Sequence, residues 1–83
     1  MDYKVGDRVR IINYLNENMS TEMLRDFGGT VVTISNLIYY SNNVLAYYQL
    51  KEDRFGWSWT SDMFEGIEYN YFPIWKNPTL PDI

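Results

Sequence analysis

The 83-residue chain contains no cysteine and no histidine. Disulfides are excluded, and so are zinc sites built from Cys and His. Ser-His-Asp and Cys-His catalysis are excluded as well, because the base is missing. No side chain type present titrates near neutral pH without a shift. The lack of cysteine suits a reducing compartment, so a cytoplasmic protein is expected. Long apolar runs are also missing. None approaches the roughly 20 residues of a membrane span, and the start Met1-Asp2-Tyr3-Lys4-Val5 has no apolar secretion-signal core. Cations are few: 7 Lys and Arg stand against 11 Asp and Glu, a net charge of −4. Acidic chains repel phosphate backbones, so direct nucleic-acid binding is not expected. No catalytic residue, cofactor site or metal ligand set emerges, and an enzyme is not expected.

What the chain has instead is aromatic side chains, 18% of all residues. A chain of this length makes one domain and buries roughly 60% of its unfolded surface, a marginal core. Each fully buried large ring contributes roughly 1.5–3 kcal/mol. The aromatics therefore compensate for size. The densest stretch is Gly56-Trp57-Ser58-Trp59-Thr60-Ser61-Asp62-Met63-Phe64-Glu65. Tryptophans two apart on a strand share a face. Trp57 and Trp59 form either the floor of a small core or an exposed recognition platform, and two rings would fill much of a core this size.

Residues 5–12 read as a strand, with Val9 and Ile11 toward the core and Arg8 and Arg10 toward water. Residues 13–18 are Asn-rich and read as a loop. Ser20 or Thr21 can N-cap a short helix whose apolar face is Met23, Leu24 and Phe27, and Gly28 fits the C′ position that ends it. Residues 30–35 make a second strand, able to continue through Leu37–Tyr40 past a bulge, and Ser41-Asn42-Asn43 is a turn. Residues 44–50 make a third strand. Lys51-Glu52-Asp53-Arg54 reads as a charged, solvated hairpin tip, and residues 55–60 as a fourth strand. Thr60-Ser61-Asp62 can cap one helical turn carrying Met63 and Phe64, before a short closing strand at 65–67. Short strands between turn signals predict an all-β fold, a small partly open barrel of about five strands with one short helix in its first long loop.

Residues 68–83 differ from residues 1–67. They combine Tyr69, Tyr71, Phe72, Ile74 and Trp75 with Pro73, Pro78 and Pro81. Proline argues against regular structure and the aromatics against simple disorder. An aromatic C-terminal extension is expected, packed on the barrel or on a second subunit, which would make a homo-oligomer.

Four segments carry a resemblance: Val5-Gly6-Asp7-Arg8-Val9-Arg10, Phe27-Gly28-Gly29-Thr30-Val31-Val32-Thr33-Ile34, Tyr48-Gln49-Leu50-Lys51-Glu52-Asp53, and the run from Trp57 to Glu65. In this order they resemble a family of small phage, prophage and Gram-positive bacterial proteins with an SH3-like barrel, distantly similar to the SH3-like repeats of mind bomb ubiquitin ligases. The resemblance covers about residues 3–67. It implies the barrel and a mobile-element setting, hence the host cytoplasm. It brings no catalytic motif.

Barrels of this kind often hold aromatics in a groove beside the long loop. Tyr39, Tyr40, Tyr47, Trp57 and Trp59 are the candidates for such a groove. Neighbours on a strand alternate faces, so one ring of Tyr47-Tyr48 should point outward, and one of Tyr39-Tyr40 if that segment is extended. Asp62, Glu65 and Glu68 have no nearby cation in sequence, and Glu17, Glu22 and Asp26 outweigh Arg25. Solubility explains such charge; docking on a basic partner explains it too. The carboxylate pairs Glu52-Asp53 and Asp62/Glu65 fall on a turn tip and a capping segment, and read as solvated or capping groups. The expected function is a protein-interaction module that blocks a basic host protein, for instance as an inhibitor of a bacterial immune system such as a CRISPR effector. The partner-binding residues would be Tyr39, Tyr40, Tyr47, Trp57, Trp59, Asp62, Glu65, Glu17, Glu22 and Asp26. A nucleotide-binding sponge with stacked rings and a phage assembly protein are the alternatives.

Overall fold

The computed structural model describes residues 2–68. The extension expected at residues 68–83 lies, from residue 69 onward, outside the described residues. The elements run β1 (Arg8–Ile11), α1 (Thr21–Phe27), β2 (Val31–Tyr39), β3 (Leu45–Leu50), a 3-10 helix (Ser61–Met63) and β4 (Phe64–Ile67). The strands form one antiparallel four-stranded sheet in the order β3-β2-β1-β4. The fold is all-β with one short α-helix, and among the described residues there are four regular strands where about five were expected. No helix among the described residues is long and apolar enough to cross a membrane.

Alternation explains β1. Val9 and Ile11 are fully buried, and each side of β1 is paired, with β2 and with β4. The strand begins at Arg8, later than expected. Residues 4–7 are spent on a turn, in which Asp7 accepts from the Lys4 N–H at 3.0 Å and returns its own N–H to the Lys4 carbonyl. Arg8 and Arg10 do not simply face water. Arg8 donates to the Thr33 hydroxyl at 2.9 Å and lies 3.7 Å from Glu52, and Arg10 donates to the Gly29 carbonyl at 2.7 Å.

Ser20 is the N-cap of α1, its hydroxyl accepting from the Met23 N–H at 3.2 Å while the Met23 sulfur accepts from the Ser20 N–H. Met23 is buried, with Leu24 and Phe27 packed beside it. The helix ends on two glycines with different duties. Gly28 keeps φ −52°, so it is not the left-handed residue. A Cβ there would stand 2.6 Å from the Leu24 carbonyl oxygen, so Gly28 is needed for close approach. Gly29 takes the left-handed φ of +76°.

β2 runs on through Tyr39 past a shift in register at Ser35, as the bulge reading anticipated. The Ser35 hydroxyl donates to the Gln49 carbonyl at 3.1 Å, satisfying a backbone group at the irregularity. The core unites Val9, Ile11, Val32, Ile34, Tyr48, Leu50, Trp59, Met63 and Phe64 with Tyr3 and the helix side chain Met23. Tyr3 meets Tyr48 and Phe64 edge-on at 5.8 and 5.4 Å. Burial, with the neighbouring Tyr48 and Asp7, holds the Tyr3 hydroxyl above its ordinary pKa.

The fourth expected strand, at residues 55–60, does not form. It contributes one bridge, Tyr48 to Trp59, with N–H to carbonyl distances of 2.6 and 3.1 Å. The cause is Asp53. Its carboxylate accepts from the Phe55 N–H (2.8 Å), the Trp57 N–H (2.9 Å) and the Trp59 indole N–H (2.9 Å). Those backbone donors are consumed by a side chain and not by a ladder. Gly56, at φ +74°, turns the chain between them. Phe64, expected in the helical turn, opens β4 instead, because the turn is a single 3-10 turn ending at Met63.

Candidate functional site

The tryptophans divide. Trp59 is fully buried and meets Phe27 edge-on at 5.6 Å. Of the two alternatives its spacing left open it takes the core one, and its full burial corrects its place among the expected partner-binding residues. Trp57 is partly buried, 6.2 Å from Trp59 and 6.1 Å from Phe27. Its outer side is covered by Phe55, stacked at 4.8 Å and 28°, and Phe55 itself is 69% exposed.

The tyrosines correct the alternation argument. Tyr39 and Tyr40 are both more than half exposed. Tyr39 is the last residue of β2, just past a register shift, and Tyr40 already lies in the turn, where its N–H donates to the Val44 carbonyl at 2.8 Å. Neither position keeps the strand's alternation. Tyr48 is buried as one of its pair must be, but Tyr47 is itself partly buried, opposite Ile38. The rings around Trp57 and Trp59 are Phe27 and Phe55, and none of Tyr39, Tyr40 or Tyr47 stacks with them. The five aromatics expected to form one groove fall into two places.

The acids are better grouped. Glu17, Glu22, Asp26, Asp62 and Glu65 are all exposed, and all lie on the β1–β2 connection or beside the 3-10 helix. These two pieces are tied together. Asn18 donates to the Asp62 carboxylate at 2.9 Å, and Asn16 donates to the Asp62 carbonyl at 3.2 Å. The Thr60 hydroxyl also donates to Asp62. That hydroxyl, helped by the Asn18 amide, holds the Asp62 carboxyl below its ordinary pKa, so it is an ionised acceptor at neutral pH. The acidic arc holds five carboxylates and one cation, Arg25, which is engaged by Asp26 at 3.0 Å. The arc thus carries a charge equal to the whole net −4 of the chain.

Glu68 leaves the acidic group. It pairs with Arg10 across 58 positions of sequence, and its N–H donates to the Arg8 carbonyl at 2.8 Å. Glu52 is also engaged, accepting from the Thr33 N–H and hydroxyl at 2.8 and 3.0 Å. Glu52 and Asp53, expected to be merely solvated, are structural anchors.

Sequence reasoning missed Tyr14 and Leu15. Both are more than half exposed in the loop that Asn16 and Asn18 pin down. Two large apolar residues inside an Asn-rich loop were the available signal. They add exposed apolar surface to the same connection that carries Glu17, Glu22 and Asp26. A shallow pocket of about 160 Å³ lies beside β4, lined by Arg10, Glu65, Gly66, Ile67 and Glu68. It is well short of the roughly 300 Å³ of an ordinary small-molecule site. Among the described residues no group of three or more Asp or Glu converges on a point that could hold a metal ion.

No family model, no curated protein and no solved structure matches the chain.

Proposed function

We propose that the protein is a non-enzymatic interaction module that occludes a basic surface on a host protein. The observation that carries this reading is the acidic arc: five exposed carboxylates on the β1–β2 connection and the 3-10/β4 segment, which Asn16 and Asn18 tie together at Asp62, with Tyr14 and Leu15 exposed on the same connection. Charge of one sign steers a basic partner and sets register, while apolar side chains supply contact area. Glu17, Glu22, Asp26, Asp62 and Glu65 are the steering residues; Tyr14 and Leu15 are the anchors. The scaffold of this reading is an SH3-like barrel, which rests on the family resemblance; the antiparallel sheet in the order β3-β2-β1-β4 supports its all-β class. The family resemblance supports a mobile-element setting, in which a nuclease of a bacterial immune system, such as a CRISPR effector, is a fitting basic target.

The test is binding of the full chain to purified CRISPR effectors. Tight, salt-weakened binding that is lost in a Glu17→Lys/Glu22→Lys/Asp26→Lys variant supports the reading. Binding that ignores this charge reversal, or none to any basic effector, overturns it. A nucleotide-stacking role is favoured by one observation, the exposed Phe55 ring on Trp57. Tryptophan fluorescence during nucleotide titration tests it, and an unchanged signal removes it.

A further inference from the structure

The loop from Lys51 to Trp57 sets an open aromatic ring beside cations that no carboxylate engages. Phe55 is 69% exposed and stacks on Trp57 at 4.8 Å and 28°. Its Trp57 side is taken, and the opposite face is open to solvent. Trp57 is braced in turn by Phe27 and Trp59, which meet it edge-on at 6.1 and 6.2 Å. Lys51 and Arg54 are exposed and join none of the ion pairs among the described residues. The two carboxylates between them are already engaged. Glu52 accepts from the Thr33 N–H and hydroxyl and lies 3.7 Å from Arg8, and Asp53 accepts from three N–H groups.

From this we infer that the corner binds a single nucleotide, with the base laid on the open face of Phe55 and the phosphates held by Lys51 and Arg54. The inference rests on the nucleotide-stacking reading above and gives that reading its place and its charge. Charge complementarity selects the occupant. With Arg8, the corner sets three cations against Glu52 and Asp53, in a chain whose net charge is −4. A flat apolar face beside two free cations matches a ligand that is planar at one end and anionic at the other. Base-on-ring stacking is tolerant of base identity, because every base has a π-face. A longer strand is disfavoured. Phe27, beside Trp57, ends the helix that bears Glu22 and Asp26, so further phosphates would meet the acidic arc. The site is a ledge and not an enclosed cavity, so binding is modest, with a dissociation constant of about 0.1–1 mM.

Titration of the full chain with adenosine diphosphate, followed by tryptophan fluorescence and by amide and indole chemical shifts, tests this. Shifts should centre on Phe55, Gly56 and the Trp57 indole. Adenosine and inorganic pyrophosphate, each with half of the ligand's chemistry, should bind about ten-fold more weakly or worse. Lys51→Glu, Arg54→Glu and Phe55→Ala change exposed side chains, so all three should fold, and each should raise the dissociation constant about ten-fold. Phe55→Tyr keeps the ring and should keep the binding. No response to any of these probes up to about 5 mM overturns the stacking reading and this site with it. Adenosine binding as tightly as the diphosphate, or indifference to both charge reversals, leaves stacking standing and overturns the phosphate assignment. A single-stranded oligonucleotide or an acidic, tyrosine-containing peptide that binds more tightly than the diphosphate overturns the single nucleotide as the occupant.

Discussion

The β1–β2 connection and the β2–β3 hairpin leave the same sheet and are built by opposite means. The connection is fixed by polar clasps, Asn16 and Asn18 on Asp62 and Ser20 on the helix start, and it displays charge of one sign. The hairpin is fixed by its ladder and by neutral groups, with Ser35 on the Gln49 carbonyl and Asn36 on the Gln49 side chain at 3.1 Å. One surface is suited to a partner of opposite charge, the other to a neutral one. A domain this small can present both because its core holds each from behind. Phe27 of the connection and Tyr48 of the hairpin both contact Trp59.

Removing that shared support is the strongest way to break the comparison. Trp59→Ala should cost about 3–5 kcal/mol by cavity formation. A domain of this size has a total stability of about 4–12 kcal/mol. Both surfaces should be lost together in a urea melt followed by circular dichroism, along with the indole bond to Asp53. A Trp59→Ala variant that keeps a native-like stability would show that the two regions stand independently.

Asp53→Ala is the next largest change, at about 2–3 kcal/mol. It strands the Phe55 and Trp57 N–H groups and the buried Trp59 indole N–H at one stroke. Its effect should appear first on the hairpin side, as faster amide exchange at Tyr48. Gly28→Ala acts on the other region. Its new Cβ meets Leu24 backbone at 2.6 Å, and α1 must shift or unwind its last turn, costing about 1–2 kcal/mol. Exchange in α1 should quicken while the β2–β3 ladder is unaffected. If both variants loosen both regions equally, the division into two separately fixed parts is wrong.

These sites also mark what could be read from residue order. Alternation revealed β1 and β2 and capping chemistry revealed α1, because each depends on neighbours within a few positions; spacing left Trp59 open between core and surface. The missing strand at residues 55–60 depends on Asp53 taking N–H groups that alternation assigns to a ladder, and hydrophobic pattern carries no sign of that competition. Gly28 and Gly29 both look like a helix stop. Only the Leu24 contact separates the crowded one from the left-handed one. The pairing of Glu68 with Arg10 spans 58 positions, so Glu68 looked unpaired in sequence. Exposure of Tyr39 together with Tyr40 followed from where the strand stops, and strand ends are the least legible feature of a sequence.

Asn18→Ala should be milder, about 0.5–1 kcal/mol, since it removes one exposed bond to a charged acceptor. Its value lies in the pH profile. The Asp62 carboxyl sits below its unfolded pKa of about 3.9, so its contribution is complete above that pH and fades as pH falls through the folded value. Wild type should lose this increment only in acid, with exchange in the Asn16–Asn18 loop rising there. The Thr60 hydroxyl remains on Asp62 in the variant, so its acid transition should move upward but not vanish. A variant with an unchanged acid limb would mean that the Asn18 clasp does not hold the loop.

Tyr40→Ser should have the smallest effect on stability, within about 0.5 kcal/mol, since the ring is exposed and meets no other ring among the described residues. Glu22→Lys should be equally quiet in a melt, because Glu22 is exposed in the first turn of α1 and, among the described residues, accepts only from the Thr21 hydroxyl. The two substitutions therefore separate surface from scaffold. Tyr40→Ser should leave binding to a basic partner intact, and Glu22→Lys should weaken it. Added salt should weaken that binding in the wild type, because screening reduces attraction to a basic partner. If Tyr40→Ser and Glu22→Lys impair the same binding alike, the acidic arc and the neutral hairpin are one surface after all.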